Sequence, residues 1–219
     1  MTLQQLLAPF SVRSSTGDCS VEVKRVLCDS RKVSEGDVFV AVRNHYYNGH
    51  DYIQSALEAG AGAIIYSEAL PDGLEISVPC VRIHNTLDAL GLLCAINSGE
   101  PSRSIQLIGV TGTNGKTTTC HMIESILQAA NVSSGNVGTT GARFGETVID
   151  TGLTTPEAPE LQELLATMVE GGVQSAAIEV SSHGIALGRV SACHFSVGVF
   201  TGMGRDHLDF HASQEEYQE

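Results

Sequence analysis

The chain has 219 residues, a formal net charge of -13, and 42% hydrophobic against 17% charged residues. That length suits one large domain or two modest ones, and the composition is that of a folded globular protein without low-complexity tracts. The acidic balance excludes sequence-independent nucleic-acid binding, which needs a basic surface to displace counterions, yet it leaves room for small anions held by a few cations, a helix end or Mg²⁺.

Residues 1–100 read as one unit. Leu3, Leu6 and Leu7 predict a short helix, and Val21, Val23 and Val26 a strand running into Cys28-Asp29-Ser30-Arg31. The turn Ser34-Glu35-Gly36-Asp37 leads into the apolar run Val38-Phe39-Val40-Ala41-Val42. A helix is expected over 51–60, ended by glycine, then a strand at Ala63-Ile64-Ile65-Tyr66, another over 79–83, and a helix over 86–97. Strands alternating with helices indicate an α/β unit. The breaker-rich stretch Asn97-Ser98-Gly99-Glu100-Pro101-Ser102 marks the expected boundary, with the second unit over 101–219.

That second unit opens on Ile105-Gln106-Leu107-Ile108-Gly109-Val110, a buried strand, followed by G-T-N-G-K-T-T over 112–118 and a helix containing His121, Met122, Ile123, Ile126 and Leu127. A small-residue turn joining a strand to a helix N-terminus wraps phosphate oxygens with backbone N–H groups. Lys116 is placed to reach the outer phosphates and the Thr117 hydroxyl to ligate Mg²⁺. The strict pattern asks for glycine at 110, where Val110 stands, and a plain tight turn is the alternative. Residues 135–145, glycine-rich, read as a loop; Pro156 forces its predecessor out of helical geometry, and 157–171 reads as a helix. Strands are expected at 175–180 and 195–201, so that Lys116, Glu179 and the residues after Thr201 converge at strand carboxyl ends.

Glu179 begins the cluster Glu179-Val180-Ser181-Ser182-His183. It reads equally as a Mg²⁺ ligand beside polyphosphate and as a solvated neighbour of a serine cap. Arg205-Asp206-His207-Leu208-Asp209-Phe210-His211 is dense in potential ligands, but zinc lacks a convincing third or fourth partner there. His84, His121 and His194 are expected as packing residues, whereas His45 and His50 flank a polar segment, 44–48, suited to lining a pocket. Arg189 is either a surface residue or a clamp for carboxylate or phosphate. Cysteines at 19, 28, 80, 94, 120 and 193 have no C-x-x-C spacing, which fits a reduced, cytoplasmic setting with buried thiols. Met1 to Phe10 lack the features of a secretory signal, and no membrane span is visible.

Together these motifs resemble the Mur ligase family, ATP-dependent amide-bond-forming enzymes of peptidoglycan precursor synthesis, and most of all its MurE type, which adds the third amino acid. The resemblance rests on Asp29-Ser30-Arg31 with Gly36-Asp37-Val38-Phe39-Val40-Ala41, Thr111-Gly112-Thr113-Asn114-Gly115-Lys116-Thr117, Thr154-Thr155-Pro156, Glu179 to His183 with Arg189-Val190, and Arg205 to His211 with Glu215-Glu216-Tyr217. It implies an α/β fold: an N-terminal UDP-substrate-binding α/β domain over 1–100, then a P-loop, mostly parallel-sheet, ATPase-like central domain over 101–219 that is truncated.

The resemblance also implies site residues. ATP is held by Gly112, Thr113, Asn114, Gly115, Lys116, Thr117 and Thr118, with Lys116, Glu179 and His207 catalytic and Thr117, Glu179 and His207 on Mg²⁺. The substrate UDP-N-acetylmuramoyl-dipeptide meets Ser30, Asn44 and His45 at its UDP end and Thr154, Thr155, Ser181 and Arg189 at its peptide end. Its terminal carboxylate forms an acyl phosphate with ATP, and a free amino acid, meso-diaminopimelate or lysine, displaces phosphate. No protein partner is implied.

Three departures stand out. Thr201-Gly202-Met203-Gly204 replaces the family's Thr-Asn, which puts the loop geometry in question; Leu187 stands where some relatives carry glutamine; and the sequence stops just before the family's carbamylated lysine and C-terminal domain. The expectation is therefore a fragment that does not turn over alone. A non-catalytic nucleotide- or UDP-sugar-binding module and a folylpolyglutamate-synthetase-like ligase are the rival readings.

Overall fold

A computed structural model describes residues 1–70, 73–204 and 213. The chain divides into two compact units, Met1–Gly99 and Glu100–Glu219.

The first unit opens with helix α1 (Leu3–Leu7), started by a capping box in which Thr2 Oγ1 accepts from Gln5 N and Gln5 Oε1 accepts from Thr2 N. Strand β1 (Val12–Thr16) follows, then β2 (Val26–Leu27), β3 (Val38–Val40), helix α2 (Ile53–Glu58), β4 (Ala63–Tyr66), β5 (Cys80–Ile83) and helix α3 (Thr86–Asn97). The sheet runs β1-β5-β4-β3-β2, parallel except for β1, which pairs antiparallel with β5. Phe39, Ile53, Ala56 and Ile64 form its core on one side.

Two expectations change here. Val21 and Val23 do not extend β2: Leu3 N donates to Val21 O and Val23 N to Met1 O, so the N-terminal residues take up that backbone. The edge strand β1 has all five residues exposed and no apolar alternation, and so gives no strand signal in the sequence.

In the second unit come β6 (Gln106–Thr111), helix α4 (Lys116–Ala129), β7 (Ser134–Gly138), β8 (Gly141–Phe144), β9 (Thr147–Ile149), helix α5 (Ala158–Glu170), β10 (Ser175–Glu179), the short helix α6 (Ser182–Ala186) and β11 (Phe195–Phe200). Strand order is β11-β6-β10-β7-β8-β9; the first four are parallel, and β8 and β9 extend them antiparallel. Alternate residues of β6 and β10 serve opposite faces. Leu107, Ala176 and Ile178 join Leu161, Leu165 and Met168 of α5, whereas Val110 and Ala177 pack with Cys120 of α4.

The glycine-rich stretch 135–145, expected as a loop, is instead mostly the β7–β8 hairpin. Its glycines lie in strands because neighbours fill the space a side chain needs. A Cβ on Gly135 would sit 3.0 Å from Met168 Sδ, and one on Gly138 would overlap the Glu179 carboxylate. Burial pushes the thiols of Cys80 up to about 11 and of Cys120 and Cys193 up to about 12, in keeping with unreactive packing residues.

In the first unit Asp37 is 1% exposed and accepts from Arg25 Nε and Nη2 and from Ser34 N and Oγ. Burial alone would raise its carboxyl; the Arg25 guanidinium and the Ser34 donors outweigh it and hold the group below 3.8. Its stabilisation is therefore complete above about pH 4 and is lost as pH falls through the lower folded value. We expect Asp37→Asn to cost about 1–3 kcal/mol at neutral pH. Urea unfolding should show the gap between variant and parent narrowing below about pH 4.

Candidate functional site

β6 ends at Thr111, and the chain turns through 112–115 before α4 begins at Lys116. Gly112 and Gly115 have φ of +131° and +87°, a region L side chains avoid. Gly112 is doubly constrained, because a Cβ there would collide with Thr201 Oγ1 and with Gly202 O. The segment 201–204 ties the turn down: Thr201 Oγ1 reaches Asn114 O at 2.7 Å, Thr113 N donates to Gly202 O at 3.0 Å, and Gly204 N donates to Thr113 Oγ1 at 2.8 Å. The sequence Thr201-Gly202-Met203-Gly204, which put this geometry in question, thus anchors it through backbone groups and threonine hydroxyls. Lys116 Nζ donates to Gly112 O and Thr113 O at 2.7 and 3.1 Å, so the ammonium lies over the turn. Asn114, Gly115 and Thr118 are exposed around it.

Glu179 closes the site from the carboxyl end of β10. It is 1% exposed, and among the described residues no Lys, Arg or His forms an ion pair with it. Its carboxylate instead accepts from Thr117 Oγ1 at 2.9 Å, Thr139 N at 2.9 Å and Thr139 Oγ1 at 3.2 Å. The solvated-neighbour reading of Glu179 is therefore set aside, although Ser181 does cap α6 through Gly184 N. A buried carboxylate served only by neutral donors calls for a cation. The groups available to it, a threonine hydroxyl at the start of α4 and a carboxylate, are hard oxygen donors that fit Mg²⁺.

Beside Glu179, Thr155 Oγ1 donates to Glu179 O at 2.8 Å and accepts from Ser181 N at 3.0 Å. Thr154 Oγ1 lies 3.0 Å from Thr139 Oγ1. Arg189 has a side chain only 11% exposed; it pairs with Glu157 at 2.6 Å and donates to Thr155 O at 3.0 Å, so it is no surface arginine. Lys116, Thr117, Glu179, Thr154, Thr155, Ser181 and Arg189 thus belong to one connected region of the second unit.

Ser30, Asn44 and His45 belong to the first unit. Ser30 opens a 3-10 turn capped by Asp29, which accepts from Arg31 N. Asn44 Oδ1 accepts from Tyr46 N and Tyr47 N, shaping the turn that carries His45, whose ring meets Tyr46 edge-on. His50 does not line a pocket: it is 3% exposed, its Nε2 accepts from Ser67 N and Glu68 N, and its Nδ1 meets Asn48 Oδ1. Burial lowers its pKa, which keeps the ring neutral. His207 and the rest of 205–211, with Glu215-Glu216-Tyr217, lie outside the described residues. Among those described, no three His, Cys, Asp or Glu side chains gather to hold a metal.

Two expectations need correction or addition. His121 is not a packing residue; it lies in a polar group with Glu124, Asn136, Thr140 and Arg143. Thr139, with two donors on Glu179, is absent from the sequence reading, and its signal was the pair Thr139-Thr140 between glycines, a two-residue hairpin connection.

Comparison with known proteins matches residues 110–219 to the Mur ligase middle domain and residues 22–97 to the Mur ligase family catalytic domain. A UDP-N-acetylmuramoyl-L-alanyl-D-glutamate--2,6-diaminopimelate ligase of Bacillus cereus is 40% identical over 197 residues, covering 90% of this chain and 39% of that protein. A Clostridium acetobutylicum ligase of the same name, numbered 2, is 38% identical over 221 residues, covering 100% of this chain and 46% of its own length. A solved structure of a diaminopimelate ligase with that name superposes with a TM-score of 0.82 at 26% identity, covering 99% of this chain and 43% of the other. The chain thus spans less than half the length of these relatives.

Gly138 offers a direct check on how tightly Glu179 is seated. We expect Gly138→Ala to destabilise by about 1–3 kcal/mol through overpacking. Gly198→Ala, where a Cβ would meet nothing within 4 Å, should be near neutral in the same chemical-denaturation series.

Proposed function

This chain belongs to the Mur ligase family, and we propose that it supplies the nucleotide- and UDP-substrate-binding portions of a MurE-type ligase. The reaction we assign is ATP-dependent addition of an amino acid to UDP-N-acetylmuramoyl-L-alanyl-D-glutamate. The carrying observation is the bond from Thr117 Oγ1 to the buried Glu179 carboxylate at the mouth of the phosphate-binding turn. The relatives named above support 2,6-diaminopimelate as that amino acid. Nucleotide use is supported by a MurF ligase from Thermotoga maritima in complex with ADP, which has the same fold at a TM-score of 0.56.

In this reading residues 1–100 hold the UDP end, through Ser30, Asn44 and His45, and residues 101–219 hold ATP. The backbone of Gly112, Thr113, Asn114 and Gly115 receives phosphate oxygens, and Lys116 leaves the carbonyls of Gly112 and Thr113 to meet the outer phosphates. Thr117 and Glu179, with His207, would hold Mg²⁺, which supplies charge neutralisation between two approaching anions. Arg189, fixed by Glu157 and Thr155 O, orients the peptide end together with Thr154, Thr155 and Ser181. The substrate carboxylate oxygen attacks the γ-phosphorus and ADP leaves; the amine of the incoming amino acid then attacks the acyl carbon and inorganic phosphate leaves. The task of these residues is mainly to bring like charges together and hold them in line. No described helix is long and apolar enough to cross a membrane, and we place the work in the cytoplasm, where ATP is available.

Calorimetry with ATP and Mg²⁺ tests this. The chain should bind, Lys116→Ala should weaken binding about tenfold or more, and Glu179→Gln should remove its dependence on Mg²⁺. UDP-N-acetylmuramoyl-dipeptide should bind independently of Lys116. Absence of both interactions in the unaltered chain would defeat the proposal.

A further inference from the structure

The face of α4 that bears Thr117 continues with His121 and Glu124, at i, i+4 and i+7, and this face is turned to the β7–β8 hairpin. The contact between them is polar. Glu124, 7% exposed, accepts at Oε2 from Arg143 Nη2 at 2.9 Å and from Asn136 Nδ2 at 3.4 Å. Arg143 Nη2 also lies 3.2 Å from His121 Nδ1. The same Nδ1 is 3.4 Å from Glu124 Oε2, so the ring sits between the carboxylate and the guanidinium. Its Nε2 is 3.4 Å from Thr140 Oγ1, the second residue of the turn whose first, Thr139, donates twice to Glu179.

We infer that His121, Glu124, Asn136 and Arg143 form a clamp that sets the Thr139-Thr140 turn, and through it the Glu179 carboxylate, for the divalent cation that accompanies ATP. The inference rests on the nucleotide-binding reading above. All four act as positioning residues, since none of them touches Glu179. An ion pair between a buried carboxylate and a guanidinium side chain that is 42% exposed is a poor source of stability compared with apolar packing, and Arg143 Nε has no hydrogen-bond partner among the described residues. What the clamp supplies is register. It ties the helix carrying Thr117 to the turn carrying Thr139, the two segments that must meet on one carboxylate.

The test uses the full chain and calorimetry, titrating Mg²⁺ at fixed ATP and, separately, ATP with the metal chelated. Arg143→Met should raise the Mg²⁺ concentration at half-saturation about tenfold while changing metal-free ATP affinity less than twofold. Arg143→Lys, which keeps a cation beside Glu124, should recover part of the loss. His121→Ala, at a side chain 34% exposed, should give a smaller shift of the same kind and serves if Arg143→Met does not fold, as judged by circular dichroism. Lys116→Ala should instead weaken ATP with and without metal. If Lys116→Ala behaves so and the clamp variants leave the Mg²⁺ requirement unchanged, or weaken both forms of ATP equally, the clamp is overturned and the nucleotide reading stands. If the unaltered chain binds no ATP, the reading falls and the clamp with it.

Discussion

The second unit is arranged around one buried negative charge. Glu179 sits at the end of β10, a strand flanked on both sides, and it is removed from water without a basic side chain beside it among the described residues. Burying a carboxylate is tolerable only if its lone pairs are satisfied and a counter-charge can reach it. Three neighbouring choices answer the first need: Thr117 at the start of α4, Thr139 at the hairpin turn, and glycine at 138, whose missing side chain is the space the carboxylate fills. The second need is the physical ground for the proposed cation, since among the described residues no basic side chain pairs with this carboxylate.

The two faces of that sheet divide the labour. Toward α5 the strands present Leu107, Val137, Ala176 and Ile178, and the helix answers with Leu161, Leu165 and Met168, an apolar cluster that drives burial. Toward α4 the same strands present Asn136, Gly138, Ala177 and Glu179, and the helix buries little besides Cys120 and Glu124. Period-two alternation makes this separation possible: one residue builds the core, and the next builds the site. The polar face therefore depends on the apolar one for its stability.

How much of this was legible in the sequence follows from the same physics. Long apolar runs such as Ala63–Tyr66 and helices with clear caps such as Thr86–Asn97 were read to the residue, because local pattern and burial agree there. The α/β class, with its mostly parallel sheets, followed from the alternation of elements. The hairpin at 134–144 was not legible. Its glycines look like loop residues, and only the positions of Met168 and Glu179, distant in sequence, explain why small residues stand in strands. His50 and His121 were misjudged for a related reason, since composition does not reveal that one ring serves two backbone amides and the other an arginine. Taken alone in the sequence, Arg189 reads more readily as a surface residue, and its pairing with Glu157 decides against that.

The turn over 112–115 shows how a departure from a motif can be absorbed. Val110 stands where the strict pattern wants glycine, and it is wholly buried in the cluster with Cys120 and Ala177, so the strand runs on as packed core. The turn needs its conformational freedom later, at Gly112 and Gly115, where φ is positive. Thr201, Gly202 and Gly204 then fix this turn from the end of β11 with bonds that involve no amide side chain. Loop shape here depends on one backbone bond, from Thr113 N to Gly202 O, and on the hydroxyls of Thr113 and Thr201 meeting backbone groups. Gly202 contributes its own carbonyl to that anchor, so the turn is held without a side chain at this position.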